Sequence, residues 1–421
     1  MKTAIPLKRQ LEYMDLEFGL FIHFGIRSFY EGYNDWDSRK MSPEKFNPEE
    51  LDCAQWIECA KTAGMKYAVM TCKHHDGFAN WQTDLTDFSV KQSPWKGGKG
   101  DVVAEFTKAC REGGLKVGLY YSPAEHTDNF NMTPEDYDKY LAASLGELMS
   151  NYGKIDMLWI DGCGSDKMSY NWESMMSTVR KYQPDINVFS MGDPDYMWVR
   201  NESGVVDLPN YNTVHADEYE PIHHRDTLIK AKQNMLLWMP KECDCMIRNK
   251  WFYNFDDTAA TIRPGDELLG LYYMSVGRGA NLLLNIGPNS KGLIGGVDKQ
   301  ALINLGAEIK RRFSNPVAVT ENFIQNGDVF ECTFKDVTPV NHLVVKEDLT
   351  EGEHILKYKI EVMPRVGAHK YILLNEGYNI GHKAICQFPT VGARAVKLTI
   401  TEKIGGADSK IKLNSIELFR S

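Results

Sequence analysis

Short apolar segments alternate with amphipathic helical segments through residues 1–314, and this alternation constrains the fold most strongly. Apolar strands separated by helices indicate a parallel sheet that is covered on both faces. A sixth strand is expected within residues 207–221, where the pattern is weakest. Eight units over roughly 310 residues predict a (β/α)8 TIM-like barrel, with an open doubly wound sheet as the alternative. The other predicted strands lie at residues 18–25, 66–71, 115–121, 155–160, 187–191, 234–239 and 280–288.

The sequence pattern changes after residue 314. Residues 315–421 carry several short alternating or β-branched segments, separated by turns that contain Gly, Asp and Asn. Short strands at this spacing predict an antiparallel β-sandwich. We therefore expect a barrel domain at residues 1–314 and a C-terminal β-sandwich domain at residues 315–421.

Composition narrows the possible partners and locations. The formal net charge of −9 and the lack of a basic block argue against nucleic acid as a partner. No apolar run is long enough to predict a membrane span. Nine cysteines without disulfide-like spacing predict reduced thiols, and the N-terminus shows no apolar signal core. We expect a cytoplasmic protein, or a secreted or periplasmic one if a signal peptide has been removed; the oligomeric state stays open.

Polar and titratable residues follow the predicted strands at their carboxyl ends. Because these ends open onto one face of a barrel, the side chains that follow them are expected to converge on a single site. Asp161, which ends residues 155–160, is the strongest candidate, although a helix N-cap or a salt-bridged Asp is the structural alternative. The other strand ends lead to His23, His74, His75, Tyr121, Asp193, Glu202, Glu242 and Asn285.

A metal centre is one chemistry that several His near an Asp could support. However, His23 stands alone on the first strand, without a second His two residues away. The adjacent His74 and His75 should point to opposite sides of an extended chain, so that both cannot bind one ion without a bend. The sequence therefore predicts neither a metal nor another cofactor.

Paired carboxyl groups fit glycoside hydrolysis better. That chemistry needs one ionised carboxylate below the sugar and one protonated carboxyl at the leaving oxygen. Asp161 is the candidate for the first role. Glu202, Glu242, Glu218 and Glu220 are all candidates for the second, and their spacing in the sequence does not choose between them.

Five stretches of the barrel region together resemble glycoside hydrolase family 29, the retaining α-L-fucosidases. They occur in the order found in that family, and the region after residue 315 resembles the family's C-terminal β-sandwich. The resemblance implies hydrolysis of terminal α-L-fucose from oligosaccharides or glycoconjugates, with retention, through a covalent fucosyl-enzyme. The stretches are residues 18–25 (FGLFIHFG), 71–78 (TCKHHDGF), 118–122 (GLYYS), 158–162 (LWIDG) and 282–288 (LLLNIGP).

The resemblance also implies roles for individual residues. Asp161 would be the nucleophile. The segment at residues 198–204 (WVRNESG) resembles the acid/base segment of the subgroup that cleaves branched α-1,3/1,4-fucosides, which favours Glu202 and leaves Glu242 in reserve. The implied substrate-binding residues are His23, Trp36, His74, His75, Trp81, Tyr121, Glu242 and Arg248, the last two from a second stretch similar to that subgroup at residues 238–253.

Three other functions remain as alternatives. The first is a broad-specificity α-L-fucosidase that acts on α-1,2 or α-1,6 linkages. The second is a fucose-binding barrel without catalysis, which would be indicated by loss of either carboxylate, and both are present. The third is a metal-dependent hydrolase, which sensitivity to chelators would reveal.

Overall fold

A barrel of parallel strands forms the N-terminal part of the computed structural model, which describes residues 2–32, 37, 39–125, 132–166, 168–219, 227–364, 370–405 and 410–421. The barrel strands follow the order β5-β4-β3-β2-β1-β10-β9-β6, and all their pairings are parallel. A bridge between Phe189 and Tyr196 joins the two ends of this sheet. The strands of this region are β1 (Phe18–Ile22), β2 (Tyr67–Lys73), β3 (Lys116–Tyr121), β4 (Met157–Ile160), β5 (Asn187–Phe189), β6 (Met197–Trp198), β7 (Thr213–His215), β8 (Leu236–Trp238), β9 (Lys241–Met246) and β10 (Asn281–Ile286).

Helices alternate with most of the barrel strands along the chain. Side chains of Asp52, Asp101, Thr133 and Asn171 accept hydrogen bonds from the first turns of α2 to α5, because they stand at the N-cap where backbone N–H groups lack helical partners. The helices are α1 (Lys8–Met14), α2 (Cys53–Thr62), α3 (Val102–Gly113), α4 (Pro134–Asn151), α5 (Trp172–Tyr182), α6 (Gly265–Met274) and α7 (Gly296–Phe313). Short 3-10 helices lie at Ile26–Phe29, Pro43–Lys45, Val90–Gln92, Trp95–Gly98, Ala216–Glu218, Leu228–Lys232 and Thr320–Asn322.

Two barrel strands lie elsewhere than the sequence predicts. The segments predicted as the sixth and seventh strands, residues 207–221 and 234–239, contain β7 and β8, which pair antiparallel outside the barrel. Their places in the barrel are taken by β6 and β9. The sequence of β9, KECDCM, begins with Lys241 and places the acidic residues Glu242 and Asp244 at alternate positions, so it lacks the continuous apolar pattern expected of a strand buried on both faces.

Alternate residues of each barrel strand face opposite sides of the sheet. In β4, Leu158 and Ile160 pack in the layer between strands and helices, whereas Met157 and Trp159 pack in a second cluster inside the barrel. Asp161 continues the alternation of Met157 and Trp159 and therefore points to the interior. The same rule applies to the other strands wherever the chain stays extended past the strand end.

A C-terminal antiparallel sheet follows the barrel, which confirms the predicted fold class. Its strands follow the order β11-β12-β15-β13-β14, with β16 also paired to β12. The sheet has its own apolar core, and shifts of register interrupt the long pairing of β12 with β15. The division at residues 314 and 315 stays a prediction. The strands are β11 (Phe323–Asn326), β12 (Val329–Glu347), β13 (Ile355–Pro364), β14 (Ile372–Tyr378), β15 (Ala384–Lys403) and β16 (Leu413–Phe419).

Ion pairs and backbone contacts join the C-terminal sheet to the barrel. The carboxylate of Glu17, just before β1, accepts hydrogen bonds from Lys346 at 2.6 Å and from Lys383 at 2.7 Å. The backbone N–H of Ile385 donates to the carbonyl of Gly277 at 2.9 Å. Within the described part of the chain, no helix has both the length and the apolar character that a bilayer crossing requires.

Candidate active site

A cavity opens at the carboxyl ends of the barrel strands. Its empty space is about 720 Å³ when the open mouth is counted. Five of the residues predicted from the sequence line it together: His23, His74, His75, Asp161 and Glu202. The remaining wall residues are Phe21, Tyr120, Trp159, Ile160, Gly162, Cys163, Phe189, Ser190, Met191, Trp198, Asp244 and Trp251.

The Asp161 carboxylate is held by donors on both of its oxygens. The Tyr120 hydroxyl donates to Oδ2 at 2.6 Å, and the backbone N–H of Cys163 donates to Oδ1 at 2.8 Å. The Nε2 atom of His75 lies 3.4 Å from Oδ2. Hydrogen bonds from donors favour the charged form of a carboxyl group, so this environment suits an oriented, ionised nucleophile.

His23 presents a neutral imidazole to the cavity. Its Nδ1 atom lies 2.7 Å from Oδ1 of Asn285, whose amide nitrogen donates to the carbonyl of Trp251 at 2.7 Å. The amide oxygen therefore faces Nδ1, which carries the proton and leaves a lone pair on Nε2. Burial lowers the pKa of His23 to about 3, although the Asn285 hydrogen bond and the Asp161 charge oppose that shift. The ring can accept a hydrogen bond from a hydroxyl group.

His74 and His75 reach the same cavity, so the expectation that they point to opposite sides is wrong. The strand β2 ends at Lys73 after a shift of register, and the N–H of Gly77 closes a turn on the carbonyl of His74 at 2.9 Å. This turn provides the bend, and the two ring centres lie 4.1 Å apart. Burial lowers the pKa of His74 well below its usual value. His74 is therefore neutral, and its ring stacks on Tyr120.

The same bend brings together three groups that could hold a metal ion. One ligand atom from each of His74, His75 and Asp161 lies within 4.8 Å of the others. Two imidazoles and a carboxylate are a donor set that Zn²⁺ accepts. The Nδ1 atom of His75 lies 2.7 Å from the Ser122 hydroxyl, which itself donates to the carbonyl of Ala124 at 2.9 Å, so Nδ1 is the donor and Nε2 faces Asp161.

Glu202 lies in the turn after β6, at the mouth of the cavity. Glu202 is exposed, whereas Glu242 is deeply buried. Of the other acid/base candidates, Glu218 is exposed in a 3-10 helix and does not line the cavity, and Glu220 lies outside the described residues. Glu202 is therefore the only one of the described Glu candidates that shares the cavity with Asp161.

Glu242 lies below the cavity and is enclosed by hydrogen-bond donors. Its Oε2 accepts from the hydroxyls of Tyr13 and Tyr67, each at 2.7 Å, and its Oε1 accepts from the indole N–H of Trp159 at 2.9 Å. Burial raises its pKa to about 6 against the effect of these bonds. Glu242 is 1% exposed and does not line the cavity, so the structure gives no support to its predicted reserve role or substrate contact.

Three further predicted contacts are absent from the cavity wall. Tyr121 faces the layer between strands and helices, because it alternates with Tyr120, and the Lys73 ammonium lies 4.9 Å from its ring centre. Trp81 is buried, and its indole N–H donates to a Glu side chain of α4. The Arg248 guanidinium pairs with a carboxylate of α7 at 2.8 Å and lines a separate cleft. The predicted contact of Trp36 lies outside the described residues.

The twelve other wall residues were not predicted as site residues. Alternation along β3 places Tyr120 on the same side as Gly118. However, one strand alone does not show which of its two sides faces the interior, so the sequence could not select Tyr120. Trp159 lies two residues before Asp161, so the same alternation could have placed it on the inner side of β4. Nothing in the apolar pattern marks Asp244, Trp198 or Trp251, because β6 and β9 were not recognised as barrel strands.

Comparison with known proteins agrees with this fold. The family model for α-L-fucosidases matches residues 6–312. The α-L-fucosidase 1 of Arabidopsis thaliana is 30% identical, over 94% of this chain and 84% of its own length. The tissue α-L-fucosidase of Mus musculus is 27% identical, over 69% of this chain and 68% of its own length. A crystal structure of a glycoside hydrolase 29 family member from an unknown rumen bacterium has a TM-score of 0.87 and 30% identity, and the match covers 99% of this chain and 77% of that one.

The barrel, its cavity and the carboxyl groups that line it are those of a glycoside hydrolase. The chain belongs to the α-L-fucosidase family.

Proposed function

We propose that this enzyme is a retaining exo-α-L-fucosidase, with Asp161 as the nucleophile and Glu202 as the acid/base. The observation that carries the proposal is the convergence of both carboxyl groups with His23, His74 and His75 on one cavity. Its substrates are fucosylated oligosaccharides or glycoconjugates, of which it removes the terminal α-L-fucose.

The reaction has two steps. In the first, an Asp161 oxygen attacks C1 of fucose and forms a glycosyl ester, while Glu202 gives its proton to the departing glycosidic oxygen. In the second, Glu202 removes a proton from water, which attacks C1 and releases Asp161 and fucose with the original anomeric configuration. The donors from Tyr120 and the Cys163 backbone hold the Asp161 carboxyl group in position.

The imidazoles are suited to hold the sugar hydroxyls. A neutral imidazole has one N–H donor and one lone pair, and a hydroxyl both donates and accepts. Burial keeps His23 and His74 in this form at neutral pH. Aromatic side chains supply an apolar wall, which suits the methyl group of fucose. These wall residues include Phe21, Trp159 and Trp251.

The preferred linkages are α-1,3 and α-1,4 in branched glycans. The similarity of residues 198–204 to the acid/base segment of that subgroup supports this assignment. Rates on a Lewis-type trisaccharide and on an activated aryl fucoside provide the test. A preference for the trisaccharide is expected, whereas rapid cleavage of α-1,2 or α-1,6 fucosides would point to the broad-specificity alternative.

The roles of the two carboxyl groups can be tested separately. Asp161→Asn should bind fucosides and lose turnover, and activity retained in this variant would remove Asp161 from the nucleophile role. Glu202→Ala should cleave an activated aryl fucoside faster when azide is added, because a small anion can attack the glycosyl-enzyme without a general base. If azide has no effect on Glu202→Ala, another group is the acid/base.

A metal-dependent hydrolase is the second candidate, and the close approach of His74, His75 and Asp161 favours it. A metal there would activate a bound water, so that no fucosyl-enzyme would form. Dialysis against a chelator followed by assay with and without Zn²⁺ separates the two. Full activity after chelation supports the proposal, and loss with restoration by Zn²⁺ supports the alternative.

We also propose that the enzyme works in a reducing compartment such as the cytoplasm. All nine cysteines are free thiols in the structure, and all but Cys163 are buried. Fractionation of source cells with a specific antibody is the direct test, and recovery from the periplasm or medium would contradict the assignment.

A further inference from the structure

The turn that carries Glu202 is attached to β9. Trp198, the last residue of β6, pairs with Glu242 of β9, and the N–H of Val199 donates to the Glu242 carbonyl at 3.2 Å. After Val199 the backbone leaves the sheet, and Glu202 follows within three residues. The position of Glu202 over the cavity therefore depends on how firmly β6 is held against β9.

The turn itself has an unfavourable backbone conformation. Arg200 has a φ of 67°, which residues with a side chain rarely adopt. At the end of the turn, Gly204 has a φ of 74° and packs so closely on β9 that a Cβ atom would lie 2.6 Å from the sulfur of Cys245. Such conformations persist only where surrounding contacts determine them, and the contacts around Gly204 come from Cys245 of β9 and Leu271 of α6.

A side-chain hydrogen bond adds to this attachment from inside the cavity. The indole N–H of Trp198 donates to Oδ1 of Asp244 at 2.5 Å, and both residues line the cavity wall. Asp244 is 3% exposed. Burial raises its pKa well above the usual value, the Trp198 hydrogen bond opposes this, and the charges of Glu202 and Glu242 raise it further.

We propose that Asp244 is a positioning residue for the acid/base. Its carboxyl group fixes the Trp198 indole, and the fixed indole holds the turn that presents Glu202 to the leaving oxygen. The inference rests on the proposed role of Glu202. Asp244 itself transfers no proton and makes no bond to the substrate. The proposed role therefore requires only that residue 244 offers the Trp198 indole an acceptor atom at the position of Oδ1. It requires neither a charge nor an acidic proton.

Leaving groups of different quality provide the test. A dinitrophenyl fucoside loses its aglycone with little help from an acid, whereas a methyl fucoside needs protonation by Glu202. Asp244→Ala should therefore lower kcat/KM by about 100-fold on the methyl fucoside and by less than about 5-fold on the dinitrophenyl fucoside. Asp244→Asn keeps an acceptor for the indole and should stay within about 5-fold of the parent on both substrates.

Trp198→Phe gives a second route to the same result. It removes the donor but keeps an aromatic side chain, and it should show the same dependence on the leaving group as Asp244→Ala. The double variant should be no worse than the poorer single variant, because both changes break one interaction. Asp298→Asn is the matched control, since it weakens a buried carboxylate contact with Arg248 outside the cavity. It should lose activity equally on both substrates, if at all.

Two results would overturn the inference. Equal losses on both fucosides in Asp244→Ala and Trp198→Phe would show a general structural role. A loss in Asp244→Asn as large as that in Asp244→Ala would show that the acid itself acts on the substrate. Glu202→Ala separates the two possible failures. If Glu202→Ala shows no dependence on the leaving group, the acid/base assignment fails and the inference fails with it. If Glu202→Ala shows that dependence and Asp244→Ala does not, only the role of Asp244 fails.

Discussion

At the scale of single residues, the adjacent tyrosines at the end of β3 differ in their contacts. The Tyr120 hydroxyl donates to Asp161, whereas Tyr121 faces the layer between strands and helices. Tyr120→Phe removes the 2.6 Å donor to Asp161, and a hydrogen bond to a charged group contributes about 1.5–3 kcal/mol. We expect kcat on an aryl fucoside to fall by roughly 10- to 100-fold. Tyr121→Phe is the control and should stay within about 3-fold of the parent. Equal rates for both variants would contradict the role of Tyr120.

The same pair shows the limit of the sequence at this scale. The stretch GLYYS located the end of β3, and the position of Asp161 after β4 was predicted correctly as part of the cavity. Which of Tyr120 and Tyr121 faces inward depends on a register of one residue, and a slip of one residue exchanges the two faces. Two adjacent aromatic residues carry no pattern that fixes this register.

The buried Glu242 predicts an unusual pH dependence of stability. Its folded pKa, about 6, lies above the usual value of 4.5, so the folded state retains this proton while the unfolded state loses it. Stability should therefore fall by about 2 kcal/mol as pH rises from 4.5 to 6, and then level off. Urea denaturation at several pH values measures this slope. Glu242→Gln should remove it, and a variant that keeps the whole slope would assign it to other groups.

At the scale of elements, the main failure of the sequence-based prediction was that two barrel strands, β6 and β9, were not recognised. The barrel strands with continuous apolar sequences were placed correctly, because their pattern differs from that of amphipathic helices. β6 has two residues and β9 carries Glu242 and Asp244 toward the interior, so neither shows that pattern. Their polar side chains are satisfied by partners from distant strands, such as Tyr13 and Trp159, which no local pattern reveals.

The turn after β6 gives a prediction at this scale. Gly204→Val would place a Cβ 2.6 Å from the Cys245 sulfur on a backbone with φ of 74°. We expect a loss of about 2 kcal/mol in unfolding free energy and a larger loss of kcat/KM on the methyl than on the dinitrophenyl fucoside. Gly270→Ala in α6 is the control, because its Cβ meets no atom within 4 Å, and it should stabilise slightly. An active, fully stable Gly204→Val enzyme would show that the turn tolerates displacement.

At the scale of the whole molecule, the ion cluster around Glu17 joins the barrel to the C-terminal sheet. Burial tends to raise the pKa of Glu17, but the charges of Lys383 and Lys346 and the close approach of His382, whose Nε2 lies 3.4 Å from Oε1, lower it well below the usual value. The stabilisation is therefore present above the unfolded pKa and is lost as pH falls through the folded pKa. Glu17→Gln should cost about 3 kcal/mol at pH 7 and much less in acid.

Urea denaturation at pH 7 and in acid tests this prediction. Glu50→Gln is the control, because the Glu50 pair with Lys291 is exposed to solvent and should contribute little to stability. If Glu17→Gln matches Glu50→Gln at pH 7, the ion cluster does not hold the two parts together.

The barrel and the antiparallel sheet could be predicted from their different periodicities. Their joining through Glu17 could not, because its partners lie more than 300 residues away in the chain.

The covalent intermediate gives the most direct test of the central claim, that Asp161 is the nucleophile of a retaining enzyme. A 2-fluoro fucosyl substrate with an activated leaving group slows the second step, so the fucosyl-enzyme accumulates. Mass spectrometry of the intact protein and of its peptides then locates the added sugar. One fluorofucosyl group on Asp161 is the predicted result. A group attached to another residue, or an unmodified enzyme that releases fucose of inverted configuration, would contradict the account.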